Sequence, residues 1–250
     1  MTWTPDGLQA EAQRVVATLC DAGLDPVLVG GLAAALRAVP PAEDAWPAID
    51  DPAHLATVVR PTGDIDLVVP GEFRVTAGIL MRRGFAVIKQ PARFARGGVV
   101  VDILLPAPQA DSSVLAVELL PGDASEIDSL RVAGPATLVL EKAVAWSERF
   151  EGRDLADIAA LALRDAVSRG AAGDVLREAS LTSRHRAALS TVHATFFTEF
   201  ERGPIAFADV VRALAFGRDV DRWDELEENI RRHASTAVRR LLAPFPASGR

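Results

Sequence analysis

Residues 60–69 read RPTGDIDLVV, an apolar run that predicts a β-strand over Asp64–Val69 and carries two carboxylates, Asp64 and Asp66. Side chains two residues apart in a strand lie on the same face of the sheet, so the two acids are expected to be neighbours. Close carboxylates repel each other unless a cation lies between them. Mg²⁺ binds carboxylate oxygens and keeps substrate phosphates as further ligands. The pattern therefore indicates a metal site, and the alternative is a solvated edge strand.

Upstream of this strand, residues 26–31 read PVLVGG. They predict a short apolar strand that ends at two glycines, Gly30 and Gly31, before a helix over residues 32–39. A glycine turn that opens a helix presents backbone N–H groups and the positive end of the helix dipole to phosphate. Gly30 and Gly31 are therefore candidates for phosphate binding, with an ordinary tight turn as the alternative.

A third acid follows in residues 99–105, which read VVVDILL. An ionised Asp in the middle of an apolar strand is costly unless it is paired or bound to a metal. Asp102 is therefore a candidate third ligand, and the alternative is an exposed strand edge. Two metal ions held by such acids stabilise both the attacking and the leaving oxygen of a phosphoryl or nucleotidyl transfer, and the third acid can also act as a base.

The three motifs, in this order over residues 25–105, resemble the nucleotidyltransferase superfamily with the polymerase-β-like fold. The resemblance implies an NTP substrate, a two-metal Mg²⁺ site and transfer of a nucleoside monophosphate with release of pyrophosphate. It also implies metal binding and catalysis by Asp64, Asp66 and Asp102, and phosphate binding by the two glycines. The family often has Gly-Ser where this chain has Gly-Gly followed by Leu32. The acids also come later than usual after the glycines, which an insertion at residues 40–57 explains.

The chain changes character near residue 135. Residues 1–135 carry 10 basic and 17 acidic residues, whereas residues 136–250 carry 17 of each. We expect an α+β fold, with a nucleotidyltransferase catalytic domain at 1–135 built as a mixed sheet with flanking helices. A C-terminal helical bundle at 136–250 is expected to contribute to the cleft. Helices are predicted at 8–22, 32–39, 76–83, 136–150, 154–169, 173–179, 183–201, 205–216 and 221–242, and strands at 26–29, 64–69, 85–90 and 99–105, with a turn near 96–98.

Residues 137–157 read TLVLEKAVAWSERFEGRDLAD and resemble a helical segment of AbiEii-type nucleotidyltransferase toxins. Lys142, Arg149 and Arg153 would share one face if the helix continued through Gly152. The resemblance implies that Lys142 is catalytic and contacts the triphosphate or the substrate. It also implies that Asp154 or Asp157 supplies an acid from the second domain. Arg153 is a further candidate for nucleotide binding. The alternatives are a solvated helix face or an Arg153–Asp157 pair four residues apart.

Two residues precede the acidic strand in a form, R-x-T-x-D-x-D, that is common in this branch of the superfamily. Arg60 and Thr62 are therefore expected to order a loop over the nucleotide, and ordinary loop structure is the alternative.

The amino-acid composition excludes several kinds of site and partner. One cysteine excludes a disulfide framework and a cysteine-based zinc site. The formal net charge of −7 argues against binding of long nucleic acid through charge alone. A polar N-terminal stretch and the lack of an apolar run of membrane-spanning length predict a cytoplasmic protein with no membrane partner.

Three functions compete at this level. The first is an AbiEii-like toxin that transfers nucleotides to RNA, with a tRNA end as the acceptor and a cognate antitoxin as partner. The second is a small-molecule nucleotidyltransferase of the antibiotic-modifying kind, which also shows GG…RPxxDIDL-type motifs. The third, a degenerate member that only binds nucleotide, is disfavoured by the three intact acids.

Overall fold

The structure is a computed structural model, and it describes residues 5–38, 62–89, 92–107, 116–168, 170–202 and 223–246. These residues fall into two compact units. The first contains the described residues through Ala33 and those from Thr62 to Gly134. The second contains Ala34–Ala38 and those from Pro135 onward. Within these ranges, no helix combines the length and the apolarity that a membrane span requires.

The first unit is built on a mixed sheet. Its helices and strands are, in chain order, α1 (Pro5–Asp21), β1 (Val27–Val29), α2 (Gly30–Ala38, which runs on into the second unit), β2 (Asp64–Val68), α3 (Phe73–Arg82), β3 (Ala86–Lys89), β4 (Arg93–Arg96), β5 (Val99–Pro106), β6 (Ala116–Val117), β7 (Ser125–Ile127) and β8 (Leu130–Val132). The strand order is β3-β4-β5-β2-β1-β8-β7, and β6 pairs with the end of β5. The expected mixed sheet with helices is therefore confirmed.

Parallel and antiparallel pairings both occur in the sheet. The central strands β2 and β5 are parallel, whereas β1 is antiparallel to β2 and β4 is antiparallel to β5. Alternate residues of the central strands are fully buried, among them Ile65, Leu67, Val101 and Ile103. This period of two leaves the residues between them on the opposite face, which is where the acids lie.

Helix α1 covers part of the sheet through the apolar face that its spacing predicts. Leu8, Ala12 and Leu19 are fully buried, and the helix contacts α3, β2 and β8. Glu11 is also almost fully buried on this helix, where it accepts hydrogen bonds from Arg14 at 2.7 Å and from Arg96 of β4 at 2.5 Å. An ion pair therefore ties α1 to the sheet.

Several sequence-based predictions for the first unit need correction. The turn predicted near residues 96–98 lies at Gly97 and Gly98, but strand β4, which this turn joins to β5, was not expected. Strands β6, β7 and β8 were not expected, because they span only two or three residues each. Helix α2 begins at Gly30 and not at residue 32. The predicted insertion at 40–57 and the helix at 205–216 lie outside the described residues.

Helices and their connections make up the described residues of the second unit from Pro135. Its helices are α4 (Pro135–Arg149), α5 (Gly152–Ser168), α6 (Ala172–Glu178), α7 (Ser183–Arg202) and α8 (Trp223–Leu241). Helix α4 packs against α5, α6 and α7, and α8 packs against the same three helices. Gly173 allows one of these contacts, because a Cβ there would lie 2.9 Å from the carbonyl oxygen of Leu241.

Helices α4 and α5 are two separate helices, which contradicts the single basic face expected for Lys142, Arg149 and Arg153. Phe150 adopts a left-handed backbone conformation with φ of 52°, a conformation that a bulky residue rarely takes and that ends α4. The helix therefore does not continue through Gly152, the condition on which the shared face depended.

Candidate metal centre

A cross-strand row of side chains forms the candidate site. The sheet register places Val29 of β1 opposite Asp66 of β2, Asp66 opposite Asp102 of β5, and Asp102 opposite Arg93 of β4. Directly opposed residues project from the same face of a sheet. Asp64 lies two residues before Asp66 on β2 and so joins the same face, as its sequence spacing predicts.

The three acids form one oxygen cluster. Asp64, Asp66 and Asp102 can each offer a carboxylate oxygen so that the three oxygens lie within 4.8 Å of one another. All three side chains are half-buried, which leaves the cluster open to a ligand while the strands beneath it are tightly packed. Three hard oxygen donors at this separation match the ligands that Mg²⁺ takes, so the residues fit the cation that the sequence predicts.

Gly30 lies against this cluster at a position that only glycine can occupy. Its φ is +70°, and a Cβ placed on it would lie 1.9 Å from Oδ2 of Asp66. Any other residue would therefore combine a strained backbone with a collision with the acid. The junction of β1 and α2 therefore packs directly against the acidic strand β2. Gly31, the next residue of α2, is buried.

Thr62 also contacts the acids. Its hydroxyl donates a hydrogen bond of 3.3 Å to Oδ1 of Asp64. This contact orients the first acid of the strand, and the role over a bound nucleotide that the sequence suggested for Thr62 stays a prediction. Arg60, its predicted companion, lies outside the described residues.

Sequence reasoning missed Arg93, which binds two of the three acids. Its Nε donates to Oδ1 of Asp102 at 2.9 Å, and its terminal nitrogen donates to Oδ2 of Asp102 at 2.8 Å and to Oδ2 of Asp64 at 2.9 Å. The hydrogen bonds to Asp102 raise the pKa of the Arg93 guanidinium, and the charges of Asp102, Asp64 and Asp66 add to the effect. Arg93 thus places a permanent positive charge beside the acidic cluster.

A signal for Arg93 was present in the sequence. Residues 93–96 read RFAR, in which Phe94 is fully buried, and two glycines follow at once. A Gly-Gly pair between two such runs is typical of a two-residue hairpin. Counting back from that turn pairs Arg96 with Val99 and Arg93 with Asp102, which is the register of the structure.

The predicted residues of the second unit form ion pairs among themselves. Lys142 is 3% exposed, and its Nζ lies 3.5 Å from carboxylate oxygens of both Asp157 and Glu141. Asp157 is buried as well. The pair therefore neutralises itself inside the helical unit, and neither the catalytic role of Lys142 nor the acid role of Asp157 is tested by this placement.

The other candidates of this segment are paired in the same way. Asp154 is fully buried and accepts two hydrogen bonds from Arg149, at 2.8 and 2.5 Å. These bonds raise the pKa of the Arg149 guanidinium. Arg153 pairs with Glu151 and not with Asp157, so the i,i+4 pair considered from sequence is absent between these two described residues.

Comparison with known proteins finds only weak structural similarity. No protein-family model and no curated protein sequence matches the chain. Among solved structures, the antibiotic-resistance factor ANT(2'')-Ia is similar at 18% identity and a TM-score of 0.45, covering 78% of this chain and 97% of its own. An antigenic nucleotidyltransferase-like protein from Paracoccidioides brasiliensis is similar at 16% identity and a TM-score of 0.48, covering 85% of this chain and 95% of its own. At these values neither likeness assigns a function.

Proposed function

We propose that the chain is a Mg²⁺-dependent nucleotidyltransferase that moves a nucleoside monophosphate from an NTP to an acceptor hydroxyl. The observation that carries the proposal is the convergence of Asp64, Asp66 and Asp102, from two parallel strands, into one oxygen cluster. Its second support is the glycine turn at Gly30, which packs against Asp66 so closely that only glycine fits.

Each group of site residues has its own role in the proposed reaction. Mg²⁺ bound to the three carboxylates would supply charge stabilisation for the phosphate oxygens in the transition state. Gly30 and Gly31, at the N-terminus of α2, offer backbone N–H groups to the polyphosphate. The acceptor oxygen forms a bond to the α-phosphorus, the bond from that phosphorus to the pyrophosphate oxygen breaks, and Asp102 takes the hydroxyl proton.

For the acceptor, we propose an RNA end such as that of tRNA, with the chain acting as an AbiEii-like toxin that has an antitoxin partner. The support for this acceptor is the sequence of residues 137–157, with Lys142 and Asp157 as its candidate contacts. An RNA end, in contrast to a long nucleic-acid track, makes few phosphate contacts, so a formal net charge of −7 is compatible with it.

A small-molecule acceptor is the alternative, and one observation favours it. Lys142, Arg149 and Arg153 each form an ion pair with a carboxylate of the same unit. Their positive charge is therefore already offset, which leaves less attraction for a polyanionic acceptor and suits a small hydroxyl-bearing substrate.

The deciding experiment offers both acceptors to the purified chain. Mg²⁺ and each of the four α-labelled NTPs are supplied with either total tRNA or a set of hydroxyl-bearing antibiotics, and Asp64→Asn is the inactive control. Label on tRNA supports the RNA acceptor, and growth arrest on expression, relieved by a neighbouring gene, would support the toxin. Label on an antibiotic supports the alternative. Label on neither, with any NTP, contradicts the RNA proposal and its alternative alike.

A further inference from the structure

Arg93 occupies the oxygens that a metal ion would need. Both oxygens of Asp102 and Oδ2 of Asp64 accept hydrogen bonds from its guanidinium. The other oxygen of Asp64 accepts the hydrogen bond from Thr62. A divalent cation binds through the same lone pairs, so the guanidinium and a metal ion that uses these oxygens draw on one set of acceptors.

The strand fixes the backbone of Arg93 but leaves its side chain able to move. Phe94 is fully buried and β4 is paired on both sides, so the Cα position is held by the sheet. The Arg93 side chain is 37% exposed, which gives its guanidinium a path into solvent. Release from the acids therefore requires only rotation of a long side chain.

We propose that Arg93 is a built-in counter-ion of the acidic cluster that competes with the divalent metal and swings away from Asp64 and Asp102 when metal binds. The inference rests on the proposed function, since it takes the three acids to be metal ligands. In the metal-free chain the guanidinium offsets the repulsion among the carboxylates. Metal affinity is then set partly by how tightly Arg93 holds the acids.

The test is Mn²⁺ binding without nucleotide, followed by electron paramagnetic resonance at one pH near neutrality. Arg93→Met removes the competing cation at similar side-chain length, and Arg131→Met is the matched control. Arg131 lies on β8 of the same sheet, is half-exposed and pairs with Asp25, so its loss changes the net charge equally. We expect Arg93→Met to bind Mn²⁺ roughly tenfold more tightly than the unmodified chain, the factor that about 1.4 kcal/mol of lost competition corresponds to. The control should stay within about twofold.

A second variant, Arg93→Lys, keeps the test decisive if Arg93→Met does not fold. Arg93→Lys keeps the charge but cannot grip Asp102 with two parallel bonds, so its Mn²⁺ affinity should lie between those of the unmodified chain and Arg93→Met. Unchanged or weaker Mn²⁺ binding in a folded Arg93 variant would overturn the proposal, as would the lack of Mn²⁺ binding by every form. Transfer of label by the unmodified chain is scored separately, so activity with unchanged Mn²⁺ affinity refutes Arg93 alone. Tighter Mn²⁺ binding without transfer refutes only the proposed function.

Discussion

At the scale of single residues, Gly30 shows how directly the backbone shapes the site. It combines a left-handed φ of +70° with a hypothetical Cβ position 1.9 Å from the Asp66 carboxylate. The sequence predicts a phosphate-binding role for this glycine. The structure shows in addition that its lack of a side chain makes room for the Asp66 carboxylate, which sequence spacing does not reveal. The close approach depends on β1 and β2 being paired with Val29 opposite Asp66.

Gly30→Ala should lower the free energy of unfolding by about 3 kcal/mol or more, because left-handed strain of about 1–2 kcal/mol is joined by a clash with Asp66. Gly23→Ala is the matched control, since Gly23 has φ of +79° but no atom within 4 Å of the place that an added Cβ would take. Urea denaturation of both variants measures the difference. Equal losses in the two variants would show that Asp66 does not press against Gly30.

Lys142 is the residue for which sequence and structure suggest different roles. With 3% exposure and a carboxylate of Asp157 at 3.5 Å, it is half of a buried ion pair. Lys142→Met should lower the free energy of unfolding by about 3 kcal/mol, because it removes the cation that lies 3.5 Å from the buried carboxylate of Asp157.

The double variant Lys142→Met/Asp157→Leu separates structure from catalysis. Removal of both charges should restore most of the stability, whereas transfer activity should stay low, because Lys142 and Asp157 are the candidate substrate contacts of the proposed function. Thermal unfolding and the transfer assay are run on the same preparations. A stable and fully active double variant would contradict these contacts and would leave the pair with a structural role alone.

At the scale of elements, the acidic strands were predictable and the strand beside them was not. The alternation of Asp64 and Asp66 with buried Ile65 and Leu67 gives β2 its two faces, and the apolar run around Asp102 gives β5. Strand β4 is only four residues long, and two of them are arginines. Charged residues are typical of loops, so only the Gly97-Gly98 hairpin signal could have identified it, and with it Arg93.

The ion pair that ties α1 to β4 predicts a pH dependence. Burial raises the pKa of Glu11, but hydrogen bonds from Arg14 and Arg96 outweigh it, so the folded-state pKa lies below 4.5. A carboxyl with a depressed pKa stabilises the fold above its unfolded pKa, and this contribution is lost as pH falls through the folded pKa.

Glu11→Gln should therefore be less stable than the unmodified chain by about 1–2 kcal/mol at pH 7, and the difference should shrink below pH 4.5. Glu126→Gln, on the edge strand β7, serves as control because Glu126 is exposed. Denaturant unfolding from pH 7 to pH 3 measures both. A Glu11→Gln deficit that stays constant with pH would show that the ion pair does not stabilise α1 on the sheet.

At the scale of the whole molecule, the change in charge along the chain has a structural counterpart. The acidic first 135 residues contribute the three clustered acids, and the change of composition falls beside the boundary between the two units at Gly134 and Pro135. The second unit has as many basic as acidic residues from residue 136 onward, and its candidate cations are paired internally. Residue counts predict the balance of charge in this unit. They do not predict which side chains form ion pairs, because that depends on where each helix ends, and here α4 ends at Phe150.

The most direct test of the central claim follows which phosphate of the NTP moves. The chain is incubated with Mg²⁺, tRNA or antibiotic acceptors, and NTP labelled at either the α- or the γ-phosphate, beside Asp66→Asn, which lacks one of the three clustered carboxylates. We predict Mg²⁺-dependent transfer of the α-label alone, lowered roughly 100-fold or more in Asp66→Asn through loss of transition-state charge stabilisation. Transfer of the γ-label, or equal α-label transfer by Asp66→Asn, would contradict nucleotidyl transfer at this acidic cluster.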